Sequence, residues 1–97
     1  MAELLSDDQI ASELTHLDQW RAEGRALVRE VELASFPQAI QVVNRVAEIA
    51  ENDNHHPDID IRWRRLTFHC TTHSAGGVTQ ADVSLATEID SVIESTR

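Results

Sequence analysis

The sequence has no lysine, one cysteine and no long apolar run. All eight basic residues are arginines, which stand against seventeen acidic residues, so the formal net charge is −9. Proteins that bind nucleic acids present a concentrated basic surface, whereas the largest basic group here is Arg62, Arg64 and Arg65. We therefore expect no nucleic-acid partner.

The single cysteine and the absence of long apolar runs indicate the cellular compartment that we expect for the protein. Cys70 is the single cysteine, so no intrachain disulfide can form and nothing indicates an oxidising compartment. No apolar run approaches the ~18 residues that a membrane span needs. The first eight residues carry acids and lack the positively charged region followed by an apolar stretch that marks a secretory signal. We expect a cytoplasmic protein without a membrane partner, folded as one domain over residues 1–97.

Two predicted helices begin at recognisable capping signals. Ser6 and Gln9 fit a capping box, and the helix that follows is expected to reach about His16–Leu17. A second helix is predicted to start after Ser35, because serine is a good cap and the nearby Pro37 is tolerated in a first turn, and to end by residues 52–54. The apolar residues of this helix fall in two neighbouring stripes: Phe36, Ile40, Val43, Ala47 and Ala50, then Val42, Val46 and Ile49. Together the stripes form a wide apolar face, which suggests that the helix is buried on two sides.

The third predicted helix opens with another capping box, formed by Thr79 and Asp82. A role at the third position of the box is enough to explain Asp82 in the sequence. Apolar side chains then recur at helical spacing as far as Ile93.

Four predicted strands form two hairpins. The run from Arg25 to Ala34 follows a turn signal at Gly24 and pairs with the segment after Trp20, leaving one solvated face that carries its polar residues Arg29, Glu30 and Glu32. Apolar and polar residues also alternate over residues 59–63 and 66–71. Trp20, Trp63 and Phe68 are expected in the core. The predicted fold is α+β, a four-stranded antiparallel sheet with three helices on one face, in the order α-β-β-α-β-β-α.

Two adjacent histidines mark the first candidate site. His55 and His56 lie where the second helix has ended and the third strand has not begun, and Pro57 pushes the preceding backbone towards an extended conformation. Neighbouring side chains in such a segment point in different directions. The residues alone leave a structural turn and an active site about equally favoured.

A third histidine, His73, follows Thr72 at the end of the last strand and precedes a glycine-containing loop. Reactive side chains are often presented at such ends of rigid elements. Histidine suits proton transfer because its ordinary pKa, about 6.5, lies near cellular pH. His16 and His69 are instead expected to be surface or structural residues.

Zinc chemistry is the main alternative from the residues alone. His69 and His73 have the spacing that pairs ligands on a helix. In the strand predicted there, four residues span about 13 Å, too far for both rings to bind one ion at the short Zn–N distance. Nucleophilic catalysis by Cys70 is disfavoured because its place among the apolar strand positions predicts an inert, buried thiol.

The combined pattern is similar to that of the pterin-4a-carbinolamine dehydratases. It consists of Glu51-x-x-x-His55-His56-Pro57, the aromatic Trp63, Thr72-His73 and Gly76-Gly77-Val78-Thr79-x-x-Asp82. The resemblance covers about residues 20–93, and the combination is specific although the HHP triplet alone is weak. It implies His55, His56 and His73 as catalytic residues. It also implies a pterin pocket formed by Glu51, Pro57, Thr72, Ser74 and Ala75.

By this resemblance, the substrate is a 4a-hydroxytetrahydropterin, which loses water to give the quinonoid dihydropterin. One histidine donates a proton to the departing hydroxyl and another accepts the proton of N5, with no metal or organic cofactor. The resemblance further implies a homodimer or homotetramer and a functional link to an aromatic amino-acid hydroxylase. Ile59 and Arg64 depart from the common family pattern, which places an aromatic and an asparagine there. A non-catalytic interaction or assembly factor on the same fold is the alternative, because fold does not fix function.

Overall fold

A computed structural model describes residues 3–97, so Met1 and Ala2 of the predicted domain lie outside the described residues. Seven elements follow one another in the predicted order α-β-β-α-β-β-α. They are α1 (Asp7–Leu14), β1 (Arg21–Glu23), β2 (Ala26–Glu32), α2 (Phe36–Asp53), β3 (Asp58–Arg62), β4 (Arg65–Cys70) and α3 (Gln80–Thr96).

The four strands form one antiparallel sheet in the order β1-β2-β4-β3. Each hairpin pairs its own strands, and the sheet is completed where β2 runs beside β4, with Leu27 opposite Cys70 and Val31 opposite Leu66. This confirms the predicted α+β architecture. The register matters for function because it carries the end of β4, and the loop after it, next to the turn between β1 and β2.

The hydrophobic core lies between the helices and one face of the sheet. Period-two alternation sends Leu66, Phe68 and Cys70 of β4 to this face, and all three are fully buried. The inward stripes of α2 and α3, which include Val46 and Ile89, cover them. Trp20 and Phe68 are buried as predicted, and among residues 3–97 no helix is long and apolar enough to cross a membrane.

All three predicted caps are present. Ser6 and Thr79 form complete capping boxes, and the Ser35 hydroxyl accepts the backbone N–H of Gln38. The predicted end of α1 at His16–Leu17 is wrong, because the regular helix stops at Leu14. Beyond it the backbone bonds join residues three apart, which tightens the chain into turns.

The prediction that Arg29 lies on the solvated face of β2 is wrong. Arg29 occupies the inward row between Leu27 and Val31 and is only 3% exposed. Its guanidinium pairs with the carboxylate of Asp90 on α3, and the indole N–H of Trp20 donates to the same oxygen at 2.7 Å. Burial of this arginine is therefore compensated by a charge that a distant helix supplies.

The prediction that Trp63 is a core residue is also wrong, since its side chain is 69% exposed. Trp63 is not in the strand but begins the two-residue turn between β3 and β4, with a φ of 57°. Primed hairpin turns need a positive φ there, which directs the side chain away from the sheet. The guanidinium of Arg64 lies over the indole ring, 4.8 Å from its centroid. Phe36, at the first position of α2, is likewise exposed.

Two carboxyl groups meet where α2 ends beside α3, and they give a pH-dependent prediction. Partial burial and, next, the nearby Asp53 carboxyl raise the pKa of Glu88 above its ordinary value. A raised pKa in the folded state means that Glu88 contributes most stability below its unfolded pKa, and that this contribution is lost as pH rises through the folded pKa. We expect Glu88→Gln to raise Tm at pH 7.5, with the gain shrinking towards pH 4.

Glu94→Gln on the same helix is the matched control, because Glu94 pairs with Arg97 rather than with another carboxyl. Thermal unfolding of both variants at the two pH values checks the prediction. A Tm gain for Glu88→Gln that is equal at pH 4 and pH 7.5 would contradict it.

Candidate functional site

The carboxylate of Asp82 joins the loop after α2 to the end of β4. Asp82 is fully buried in the first turn of α3. One of its oxygens lies 2.6 Å from Nε2 of His55, and the other accepts the Thr72 hydroxyl at 2.7 Å and the backbone N–H of Thr79 at 2.8 Å. The Thr79 and Thr72 hydroxyls also lie 2.8 Å apart. Three chain segments thus converge on a single buried carboxyl group, which lies at the positive end of the α3 helix dipole.

The local backbone explains why His55 reaches this carboxylate. Asn54 ends α2 in the left-handed conformation, with a φ of 52°, which is a common way for a helix to turn away sharply. The backbone N–H of His55 still bonds to the carbonyl of Ala50 at 3.0 Å. The ring is therefore held against the end of the helix, and the half-buried Pro57 extends the chain into β3.

The Asp82 contact also sets the hydrogen-bonding role of the His55 ring. A carboxylate accepts, so Nε2 of His55 is the donor in this contact, and Nδ1 is the nitrogen that can accept a proton when the ring is neutral. Nδ1 makes no hydrogen bond within residues 3–97, and the side chain is 19% exposed. An oriented imidazole with one free acceptor nitrogen has the arrangement of a general base.

His56 points to a different partner. Its Nε2 lies 2.9 Å from a carboxylate oxygen of Glu51 on the last turn of α2, and both side chains are largely exposed. A polar contact this open to solvent contributes little to stability. The two adjacent histidines therefore differ in environment, because His55 contacts the buried Asp82 whereas His56 is largely exposed to solvent.

His73 lies in the turn that follows β4. The backbone N–H groups of Ala75, Gly76 and Gly77 converge on the carbonyl of Thr72, and Gly76 adopts a φ of 78° that suits glycine. The turn places His73 at a surface cavity of about 410 Å³, which it lines with Arg25, Ala26, Thr71 and Gly76. The Thr71 hydroxyl donates to the carbonyl of Arg25 and holds the β1–β2 turn against this edge.

The predicted site residues are only partly brought together in the described structure. Asp82 ties His55 to Thr72, the neighbour of His73, so the two predicted segments do meet. The 410 Å³ cavity, however, is lined by His73 and not by His55 or His56. Ser74 is exposed and Ala75 half-buried in the same turn. A cleft shared by all three imidazoles stays a prediction.

Asp82 and Arg25 are the site residues that sequence reasoning missed. Asp82 is part of the motif, but its capping role alone accounted for it, and its contact with His55 spans 27 residues of chain. Arg25 gives no signal of its own, because only the pairing of β2 with β4 brings it beside the turn that contains His73.

The two alternative chemistries depend on clustered metal ligands and on the Cys70 thiol. Within residues 3–97, no group of three or more histidine, cysteine, aspartate or glutamate side chains is placed to hold a metal ion. Burial, and then the nearby carboxylates of Asp82, Asp58 and Asp90, raise the pKa of the Cys70 thiol to about 12. The thiol is therefore protonated near neutral pH and not a nucleophile.

Comparison with known proteins places the chain in a family. The family model described as pterin 4 alpha carbinolamine dehydratase matches residues 3–92. The chain belongs to this family. A relative in Nocardia farcinica, which carries the name "Putative pterin-4-alpha-carbinolamine dehydratase", is 57% identical over 91% of this chain and 93% of its own length. A relative in Roseiflexus sp. with the same name is 50% identical over 96% of this chain and 100% of its own length.

Two solved structures share the fold. A Brucella melitensis protein described as a transcriptional coactivator/pterin dehydratase superposes with a TM-score of 0.88, at 28% identity, over 92% of this chain and 97% of that one. A pterin dehydratase-like protein described as a RuBisCO assembly factor in the alpha-carboxysome gives a TM-score of 0.63 at 16% identity, over 76% and 86% of the two chains. The second likeness shows the fold alone.

Proposed function

We propose that this protein is a 4a-hydroxytetrahydropterin dehydratase. Membership of the pterin dehydratase family supports the reaction class, and the observation that carries the residue assignment is the His55–Asp82–Thr72 network. A buried carboxylate that orients one imidazole and anchors the strand end next to another provides the parts of an acid–base pair.

The elimination needs two proton transfers. A base takes the proton from N5 of the pterin, the N5 electrons form the C4a=N5 double bond, and the C4a–O bond breaks as an acid protonates the hydroxyl, which leaves as water. We propose His55 and His73 for these two roles, with Asp82 positioning His55 and with His56 and Glu51 at the edge of the pterin. Pro57, Thr72, Ser74 and Ala75 are proposed to line the pocket.

The reaction needs no metal or organic cofactor, and this gives the direct test of function. Purified protein should accelerate formation of quinonoid dihydropterin from the 4a-carbinolamine, followed by stopped-flow absorbance, equally well with and without EDTA. Loss of activity in EDTA would point to a metal enzyme, and no acceleration in either condition would refute the dehydratase proposal. A cytoplasmic location, a homo-oligomer and a link to an aromatic amino-acid hydroxylase are further proposals.

A non-catalytic interaction protein is the second candidate. The exposed, conformationally constrained Trp63 favours it, because a large aromatic side chain held in solvent is typical of contact surfaces. The three histidines favour catalysis, because a scaffold does not need them. A stoichiometric protein partner, together with no pterin turnover, would favour the interaction role.

A further inference from the structure

The cavity at His73 is set apart by its charge. Arg25 lines it beside His73, and the other lining residues, Ala26, Thr71 and Gly76, have no ionisable side chain, so no carboxylate lines the cavity. Three other surface cavities each have at least one carboxylate among their lining residues. The chain has a formal charge of −9, so a cavity whose lining carries the positive charge of Arg25 and no carboxylate differs from the rest of the surface.

Arg25 is also the one arginine whose side chain has no partner among the residues that the structure describes. Within residues 3–97, six of the eight arginines form ion pairs with carboxylates, and Arg45 donates to the hydroxyls of Ser95 and Thr96. The Arg25 guanidinium makes neither kind of contact with this described part of the chain. Its backbone is nevertheless fixed, because its carbonyl accepts the Thr71 hydroxyl.

A fixed backbone that presents a guanidinium and an imidazole, neither of them bonded to another side chain of residues 3–97, suits an anionic ligand group. Arginine recognises carboxylates and phosphates through paired N–H donors, and a cavity of this size is within the range of small-molecule sites. We infer that Arg25 determines substrate specificity by pairing with a carboxylate or phosphate on the side chain of the pterin. The inference rests on the proposed function, because it assumes that the pterin occupies the cavity at His73.

Binding of fluorescent oxidised pterins provides a test that does not depend on turnover. The ligands are 6-hydroxymethylpterin, its phosphate ester and pterin-6-carboxylate, titrated by fluorescence quenching at low and at physiological salt. The neutral ligand reports ring binding alone, and the two acids distinguish phosphate from carboxylate. The variants are Arg25→Gln, Arg25→Lys and the control Arg21→Gln, which changes an arginine on the same hairpin that already pairs with Glu23.

We expect the unaltered protein to bind at least one of the two acids about ten-fold more tightly than the neutral pterin at low salt, with the preference falling as salt rises. Arg25→Gln should abolish the preference, so that the two acids and the neutral ligand bind with similar affinity, whereas Arg25→Lys should keep part of the preference and Arg21→Gln should keep all of it. Equal binding of the three ligands, no binding of any of them, or a preference that survives in Arg25→Gln would overturn the inference.

The outcome can be separated from that of the proposed function. An Arg25-dependent preference for acidic pterins in a protein that does not dehydrate the carbinolamine would leave the specificity site standing and refute the dehydratase. Dehydration without any such preference would leave the dehydratase standing and refute the site.

Discussion

His55→Ala and His73→Ala are each expected to lower kcat/KM for carbinolamine dehydration by about 10²–10⁴-fold, the usual contribution of a positioned acid or base. His55 is the ring that Asp82 orients, and His73 lies one residue beyond the threonine that the same carboxylate anchors. Stopped-flow assays of the purified variants, with folding checked by circular dichroism, measure the loss.

The matched control is His69→Ala. His69 lies on β4 opposite Val28 and Asp58 and belongs to neither candidate segment, so this variant should keep nearly full activity. Folded His55→Ala and His73→Ala variants with unchanged kcat/KM would show that the site is wrongly assigned.

Asp90→Ala is expected to lower the free energy of unfolding by about 3 kcal/mol, the lower end of the cost of breaking a buried ion pair. The substitution leaves the Arg29 side chain, only 4% exposed, without its counter-charge and removes the acceptor of the Trp20 N–H. The lower end applies because the Asp90 side chain is itself partly open to water. Urea denaturation monitored by tryptophan fluorescence gives the value.

Two further variants isolate the cause. Asp60→Ala removes a carboxylate whose partner, Arg62, is exposed, so it should cost well under 1 kcal/mol. Arg29→Met keeps the bond between Trp20 and Asp90 and removes the buried cation, so it should cost less than Asp90→Ala. If Asp90→Ala were no more destabilising than Asp60→Ala, the ion pair would not have the structural importance assigned to it.

The elements of the fold were predictable because their signals are local. The capping boxes at Ser6 and Thr79 and the alternation along β4 each lie within a few residues of sequence, and all three are confirmed. The prediction of a core position for Trp63 was wrong because this residue continues the alternation of Ile59 and Ile61, although the chain has already entered a turn there. Alternation shows which face a strand residue occupies but not where the strand ends.

Long-range pairs were the part that the sequence could not provide. An arginine in a strand is expected to be solvated, and only Asp90, 61 residues away, makes the burial of Arg29 acceptable. The candidate site shows the same limit. The histidines were predicted from their residue type and the family pattern, whereas the buried acid that orients His55 and the arginine beside His73 depend on how the strands and helices assemble.

The most direct measurement is a double-mutant cycle of His55→Ala and His73→Ala on kcat/KM for carbinolamine dehydration. If the loop after α2 and the turn after β4 serve one reaction, the double variant should be little worse than the poorer single variant, because groups that act together are strongly non-additive. A shared catalytic site built around Asp82 would be contradicted if the fold-loss in kcat/KM of the double variant equalled the product of the two single losses. It would also be contradicted if neither single variant lost activity.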